Sequence, residues 1–330
     1  MNMASEPLGR GADNIVDLAR KTVVTDILKT PVVTQCWPVW RPLILDSLGL
    51  APTAGHFLEL GSQLSEIFRS TAQAGRGQDS LSAGGAAWES LVCYYLNLCL
   101  IGSNAVVFKK RTAVPPSIQD ALTISYRNVS ANTESDMVAV TFPDNDVALL
   151  EPLAKGESIK ERLDVIAQRS FPDLAVAIVQ CKTNWNDNAQ IPMMWDMLYN
   201  AKIFYDPRIN QGRNNRHLIN FKSFNYAFVT VPTNKLESFK PNSLSVKRVS
   251  ELSGGNYWGR PDQPGIARSI RQIFDVAKIG PSSGRGVLPS LARFLPLLPS
   301  RYSYFQLSDS PDVPVPLEEL GNSPQQSLAL

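Results

Sequence analysis

Apolar and polar positions alternate along this chain in two registers, one of period 3.6 and one of period two. From Asp13 to Leu28 the apolar residues Ile15, Leu18 and Val23 recur at helical spacing, and from His56 to Thr71 Leu58, Leu64, Ile67 and Phe68 do the same. A glycine-rich stretch, "AQAGRGQDSLSAGG", then reads as a loop before "AAWESLVCYYLNLCL", the strongest helical pattern in the chain. The middle of the sequence changes period. "AVVFKK", "ALTISYR", "MVAVTF" and "DVALLEP" read as strands, followed by a helix over "GESIKERLDVIAQRS" and a strand in "FPDLAVAIVQCK". A helix over "IPMMWDMLYNAKIF", a strand in "NYAFVTVPT" and a late helix over "IARSIRQIFDVAKI" complete the pattern, and from Pro311 a proline-rich polar tail is expected to be poorly ordered. Strands grouped between helices predict an α/β (α+β) fold with a central mixed sheet flanked by helices. Three regions follow: an N-terminal helical subregion over 1–80, a core over 81–280 and a C-terminal extension over 281–330.

The strand ending in "IVQCK" carries the first chemical question. Side chains two apart on a strand share a face, so Gln180 and Lys182 point to one side and Cys181 to the other. Asp136 begins the strand "MVAVTF". An antiparallel neighbour would bring that beginning beside the end of the Gln180 strand. Glu89 shares a helical stripe with Val92, Leu96 and Cys99, which places a carboxylate on the buried face. A buried carboxylate is costly unless it is paired or bound to a cation. Plainer roles compete at each position: a solvated strand-end lysine for Lys182, a first-turn helix acid for Glu89, and a turn cap for Asp136 beside Ser135.

Two acids, an amide and a lysine converging in this order resemble the metal-dependent nuclease site of the PD-(D/E)XK family, in its Q-x-K form. The resemblance rests on Glu89 in "GGAAWESLV", Asp136 in "ESDMVAV", and Gln180 with Lys182 in "IVQCK". It implies a restriction-endonuclease-like core holding Mg²⁺ through Asp136, Gln180 and Glu89, with Lys182 orienting the attacking water and stabilising charge on the phosphorus. The implied activity is hydrolysis of phosphodiester bonds in double-stranded DNA by a type II restriction enzyme, cutting as a homodimer. A Mrr-like nuclease of modified DNA or a repair nuclease is the alternative, as is a catalytically inactive DNA-binding protein of the same fold. The family usually places its acid one short hairpin before the lysine strand, whereas here the expected strand "DVALLEP" and a helix intervene. Asp144 and Asp173, in literal Pro-Asp pairs, are the alternatives to Asp136 as metal ligand. Asp144 reads as a turn residue, and Asp173 begins the strand that ends in Gln180, roughly 20 Å away at about 3.3 Å per residue.

Composition narrows the classes. With 330 residues, 44% of them hydrophobic and 19% charged, the chain can bury a sizeable core. A formal charge of +2 neither requires nor excludes nucleic acid. Basic residues cluster locally, at Phe108 to Arg111, Arg208 to Arg216, Lys235 to Arg248, and at Arg268 and Arg271, where they could line a DNA-facing cleft. Past Lys182, Asn184, Trp185, Asn186, Asp187 and Gln190 are candidate DNA contacts, with Asp187 equally suited to capping the next helix. The loop containing Tyr257 and Trp258 suggests no role. The four cysteines lack C-x-x-C spacing, and His56 and His217 stand alone, which argues against zinc and disulfides. Without a signal-like N-terminus or an 18-residue apolar run, the chain reads as a cytoplasmic protein with no membrane segment.

Overall fold

The computed structural model describes residues 14–70, 81–126, 129–132, 135–144, 146–183, 209–231, 269–281 and 286–308. Its centre is a four-stranded sheet of β1 (Ala105–Phe108), β4 (Met137–Thr141), β5 (Ala175–Lys182) and β7 (Ser223–Thr230), in the order β1-β4-β5-β7. β4 runs antiparallel to both β1 and β5, and β7 joins β5 in parallel, so the sheet is mixed as its sequence pattern predicts. A smaller sheet pairs β3 (Val129–Asn132), β2 (Thr123–Tyr126) and β6 (Ile209–Gln211), all antiparallel. Around these lie helices α1 (Ile15–Leu28), α2 (Pro31–Leu48), α3 (Ala54–Arg69), α4 (Leu81–Cys99), α5 (Pro116–Ala121) and α6 (Ile159–Arg169). No helix among the described residues is long and apolar enough to cross a membrane.

Helix α4 binds the sheet together. At one edge, the Asn97 side chain stands in for a missing strand: its Oδ1 accepts from the Val107 N–H at 3.1 Å, and its Nδ2 donates to the Val107 carbonyl at 2.9 Å. Edge strands present such backbone groups in a row, and covering them blocks pairing with other chains. At the other edge, Trp88 Nε1 donates to the carbonyl of Val229 on β7 at 3.2 Å. Helix α1 is latched to the start of β1 by Arg20, which donates to the carbonyls of Ser103 (2.9 Å) and Ala105 (2.6 Å). Arg20 is fully buried, and its charge is met by Asp17 one turn earlier. Helix α6 starts with a reciprocal capping box. The Glu161 N–H donates to Ser158 Oγ at 3.2 Å, and the Ser158 N–H to Glu161 Oε2 at 2.8 Å.

Several expectations change. "DVALLEP" is not a strand. Asp146 accepts from the Ala148 N–H at 3.1 Å and caps a 3₁₀ turn over Val147–Leu149 instead. The same carboxyl accepts from Ser170 Oγ at 3.0 Å and pairs with Arg169, which ties this turn to the approach to β5. The "FPD" that precedes β5 is a second 3₁₀ turn. Leu81 to Gly85, expected in a loop, form the first turns of α4. The late helix is short among the described residues, Gln272–Val276. Five helices and strands had no forecast: α2, α5, β3, β6, and the helix Val287–Phe294, whose Phe294 ring lies where a side chain on Gly102 would sit. The expected helix from Ile191 to Phe204 and the tail from Pro311 lie outside the described residues.

Candidate active site at the end of the central sheet

Strands β4 and β5 pair from Thr141 opposite Ala175 to Met137 opposite Val179, so the next position on β4 falls level with Gln180. Asp136 occupies it. The removal of "DVALLEP" from the sheet makes β4 and β5 consecutive partners, which is what brings this acid to the lysine strand. One carboxyl oxygen of Asp136, Oδ2, accepts from Gln180 Nε2 at 2.6 Å and from the Cys181 N–H at 2.7 Å. Asp136 therefore caps the end of the sheet rather than a turn through Ser135. Asp144 and Asp173 flank the opposite end, where Thr141 meets Ala175.

Gln180 is fully buried, and its two amide ends are both engaged. Nε2 faces Asp136, and Oε1 accepts from the hydroxyl of Tyr226 on β7 at 3.3 Å. The amide oxygen expected to bind a metal thus faces a phenol instead. Lys182, two residues on, is close enough for its charge to act on the Asp136 carboxyl. Glu89 acts on it too, from the middle of α4. Because α4 begins at Leu81, Glu89 lies too far along for a first-turn role with the helix dipole. Its side chain is 27% exposed and pairs with Lys109, just beyond β1, at 3.5 Å.

All four expected site residues, Glu89, Asp136, Gln180 and Lys182, therefore share one end of the sheet. Burial is the main cause that raises the Asp136 carboxyl from 3.8 to about 7, and the Glu89 charge adds to it. The Cys181 N–H, Lys182 and Lys109 act in the opposite direction. Burial also raises the thiol of Cys181 and the phenol of Tyr226, and the Asp136 charge reinforces both shifts. Cys93, on α4, is pushed up to about 12 chiefly by burial. These thiols are poor nucleophiles at neutral pH.

Two residues of the site were not foreseen. Lys109 belongs to a basic cluster that could line a DNA-facing cleft, yet its ammonium meets Glu89. Tyr226 was visible only as part of an apolar strand. Three further residues of the basic clusters are also engaged within the chain: Lys110 pairs with Asp26 at 3.2 Å, Arg213 with Asp120, and Arg271 with Glu59. Arg216 lies over the Phe171 ring, 4.6 Å from its centroid. His56 accepts from the Thr53 N–H at 3.3 Å in the cap of α3. Asn184, Trp185, Asn186, Asp187, Gln190, Arg208, Arg268, the segment from Lys235 to Arg248, and Tyr257 with Trp258 lie outside the described residues.

Magnesium prefers hard oxygen ligands. Among the described residues there is no grouping of three or more His, Cys, Asp or Glu that could hold a metal ion. The local chemistry nonetheless fits a cation held by two carboxylates. Both hydrogen bonds to Asp136 fall on Oδ2, and the carboxyl is destabilised as an anion by burial and by Glu89. A divalent ion between the two acids would relieve that repulsion. Asp136 Oδ1 and the Glu89 carboxylate are the oxygens suited to it. No protein-family model matches the chain, and no curated protein matches it in sequence.

Proposed function

We propose that this protein is a Mg²⁺-dependent endonuclease that hydrolyses phosphodiester bonds of double-stranded DNA, of the type II restriction class and with the PD-(D/E)XK kind of site. One observation carries the reading: Asp136 is hydrogen-bonded to Gln180 and to the Cys181 N–H at the end of β5, within range of the charges of Lys182 and Glu89. Asp136 and Glu89 would hold the cation. When bound, Mg²⁺ supplies charge neutralisation and a water of lowered pKa. The Lys182 ammonium would orient the attacking water towards the phosphorus and stabilise the charge that develops on the phosphoryl oxygens. Gln180 and the Cys181 N–H hold Asp136 in place. Cutting both strands of a duplex with one such site per chain calls for a homodimer, working in the cytoplasm where its DNA is.

A second reading, a DNA-binding protein of the same fold without catalysis, is favoured by the position of Gln180. Glutamine stands there in place of the usual acid, and its amide is committed to Asp136 and Tyr226, so it offers the cation no ligand. Incubation of the purified chain with unmethylated phage DNA, with Mg²⁺ or with EDTA, separates the two. Discrete fragments that require Mg²⁺ support the nuclease. Intact DNA of reduced mobility in both buffers supports the binding protein and refutes cleavage.

A further inference from the structure

We propose that Tyr226 is a positioning residue, whose hydroxyl supplies the donor that Gln180 Oε1 needs once Nε2 faces Asp136, and so holds Gln180 as a hydrogen-bond donor rather than a metal ligand. The two ends of a glutamine amide are nearly alike in shape, and their hydrogen-bond partners determine the orientation. Here the partners leave one good solution. Asp136 Oδ2 already accepts from the Cys181 N–H at 2.7 Å, which marks it as an acceptor oxygen, so Nε2 belongs opposite it, where it lies at 2.6 Å. Oε1 then needs a donor, and Gln180, at 0% exposure, has no solvent to turn to. The Tyr226 hydroxyl at 3.3 Å provides it. The reverse orientation would set two acceptor oxygens against each other.

The strand pairing explains why this tyrosine is reliable in that task. On parallel β7, Phe228 is the register partner of Gln180, and Tyr226 is the partner of Ile178, two residues earlier on the same face. The rings of Tyr226 and Phe228 lie 5.5 Å apart between centroids. Tyr226 is 7% exposed, so its hydroxyl has little access to competing water. A chain of donors thus runs from Tyr226 through Gln180 to Asp136, while both donors to Asp136 occupy Oδ2. Oδ1 is the oxygen available to a cation.

The effect on cleavage rests on the nuclease reading, but the orientation of the amide does not, and the test separates them. Full-length protein labelled with ¹⁵N-glutamine is studied without metal, with the Gln180 side-chain signal assigned by its absence in Gln180→Met. Exchange of its Nε2 protons with solvent is measured in wild type and in Tyr226→Phe, which keeps the ring and its packing. In wild type the proton facing Asp136 exchanges slowly, and in Tyr226→Phe its protection falls by about tenfold, since one net hydrogen bond is lost. Cleavage by Tyr226→Phe shows a lower kcat with the KM for DNA unchanged, because the hydroxyl touches no DNA. Equal exchange in the two proteins overturns the proposal, whatever happens to cleavage. Tenfold faster exchange, in a protein whose wild type cuts no DNA, upholds the amide assignment and removes the nuclease reading alone.

Discussion

Replacing Asp136 by asparagine should stabilise the metal-free protein at high pH, because the fold holds this carboxylate at a cost. Displacement of its pKa from 3.8 to about 7 corresponds to about 4 kcal/mol at about 1.4 kcal/mol per pH unit. A carboxyl whose folded-state value lies above its unfolded one takes up a proton more readily in the fold. Its penalty is therefore absent below 3.8, grows as pH rises towards about 7, and is complete above that. Asparagine abolishes the charge but weakens the two hydrogen bonds that Oδ2 accepts, at about 1 kcal/mol. Solvent reaching the half-buried side chain trims the gain further. The net expectation is that Asp136→Asn is more stable than wild type by about 2 kcal/mol at pH 8, and no more stable than wild type at pH 4. Urea unfolding of both proteins at several pH values, with EDTA, gives this difference directly and cancels the other titrating groups. Added Mg²⁺ should stabilise wild type and leave the variant unmoved. A variant less stable than wild type at pH 8, or a difference that does not change with pH, would refute the argument that the fold strains this acid.

Asn97→Leu should lower stability by about 2–4 kcal/mol, since it leaves the buried N–H of Val107 without a partner and its carbonyl with only the weak Cys93 thiol donor; equilibrium unfolding in urea measures it, and a loss under about 1 kcal/mol would show that β1 needs no cover. Asp144→Asn should cleave DNA at the wild-type rate, because it sits beyond the Thr141 end of β4, away from Gln180. Loss of cleavage in that variant, in a gel assay, would move the metal site to the other end of the sheet.

The placement of the candidate site's residues was more legible than the scaffold around it. Period-two spacing placed Gln180 and Lys182 on one face, and an antiparallel neighbour was enough to bring Asp136 to them, as the β4–β5 register does. The pairing of Lys109 with Glu89 joins β1 to α4, a tertiary contact with no local signal. Tyr226 is similar: its hydroxyl matters because β7 runs parallel to β5, and strand direction is not written in the alternation of apolar residues. Prolines hid α2. Its buried stripe, Val33, Cys36, Trp40, Ile44 and Leu48, is helical in period, yet Pro38 and Pro42 argue for a break. "DVALLEP" failed for the opposite reason, an apolar run whose preceding aspartate could cap a 3₁₀ turn.

The claim that this end of the sheet cuts DNA turns most directly on Lys182. Wild type and Lys182→Ala are incubated with unmethylated phage DNA and Mg²⁺, and in parallel with Ca²⁺ to compare binding by gel shift. The account predicts discrete fragments from wild type, no fragments from Lys182→Ala, and equal shifts from both, since the ammonium acts in the transition state rather than in holding DNA. Cleavage by Lys182→Ala at the wild-type rate would contradict it.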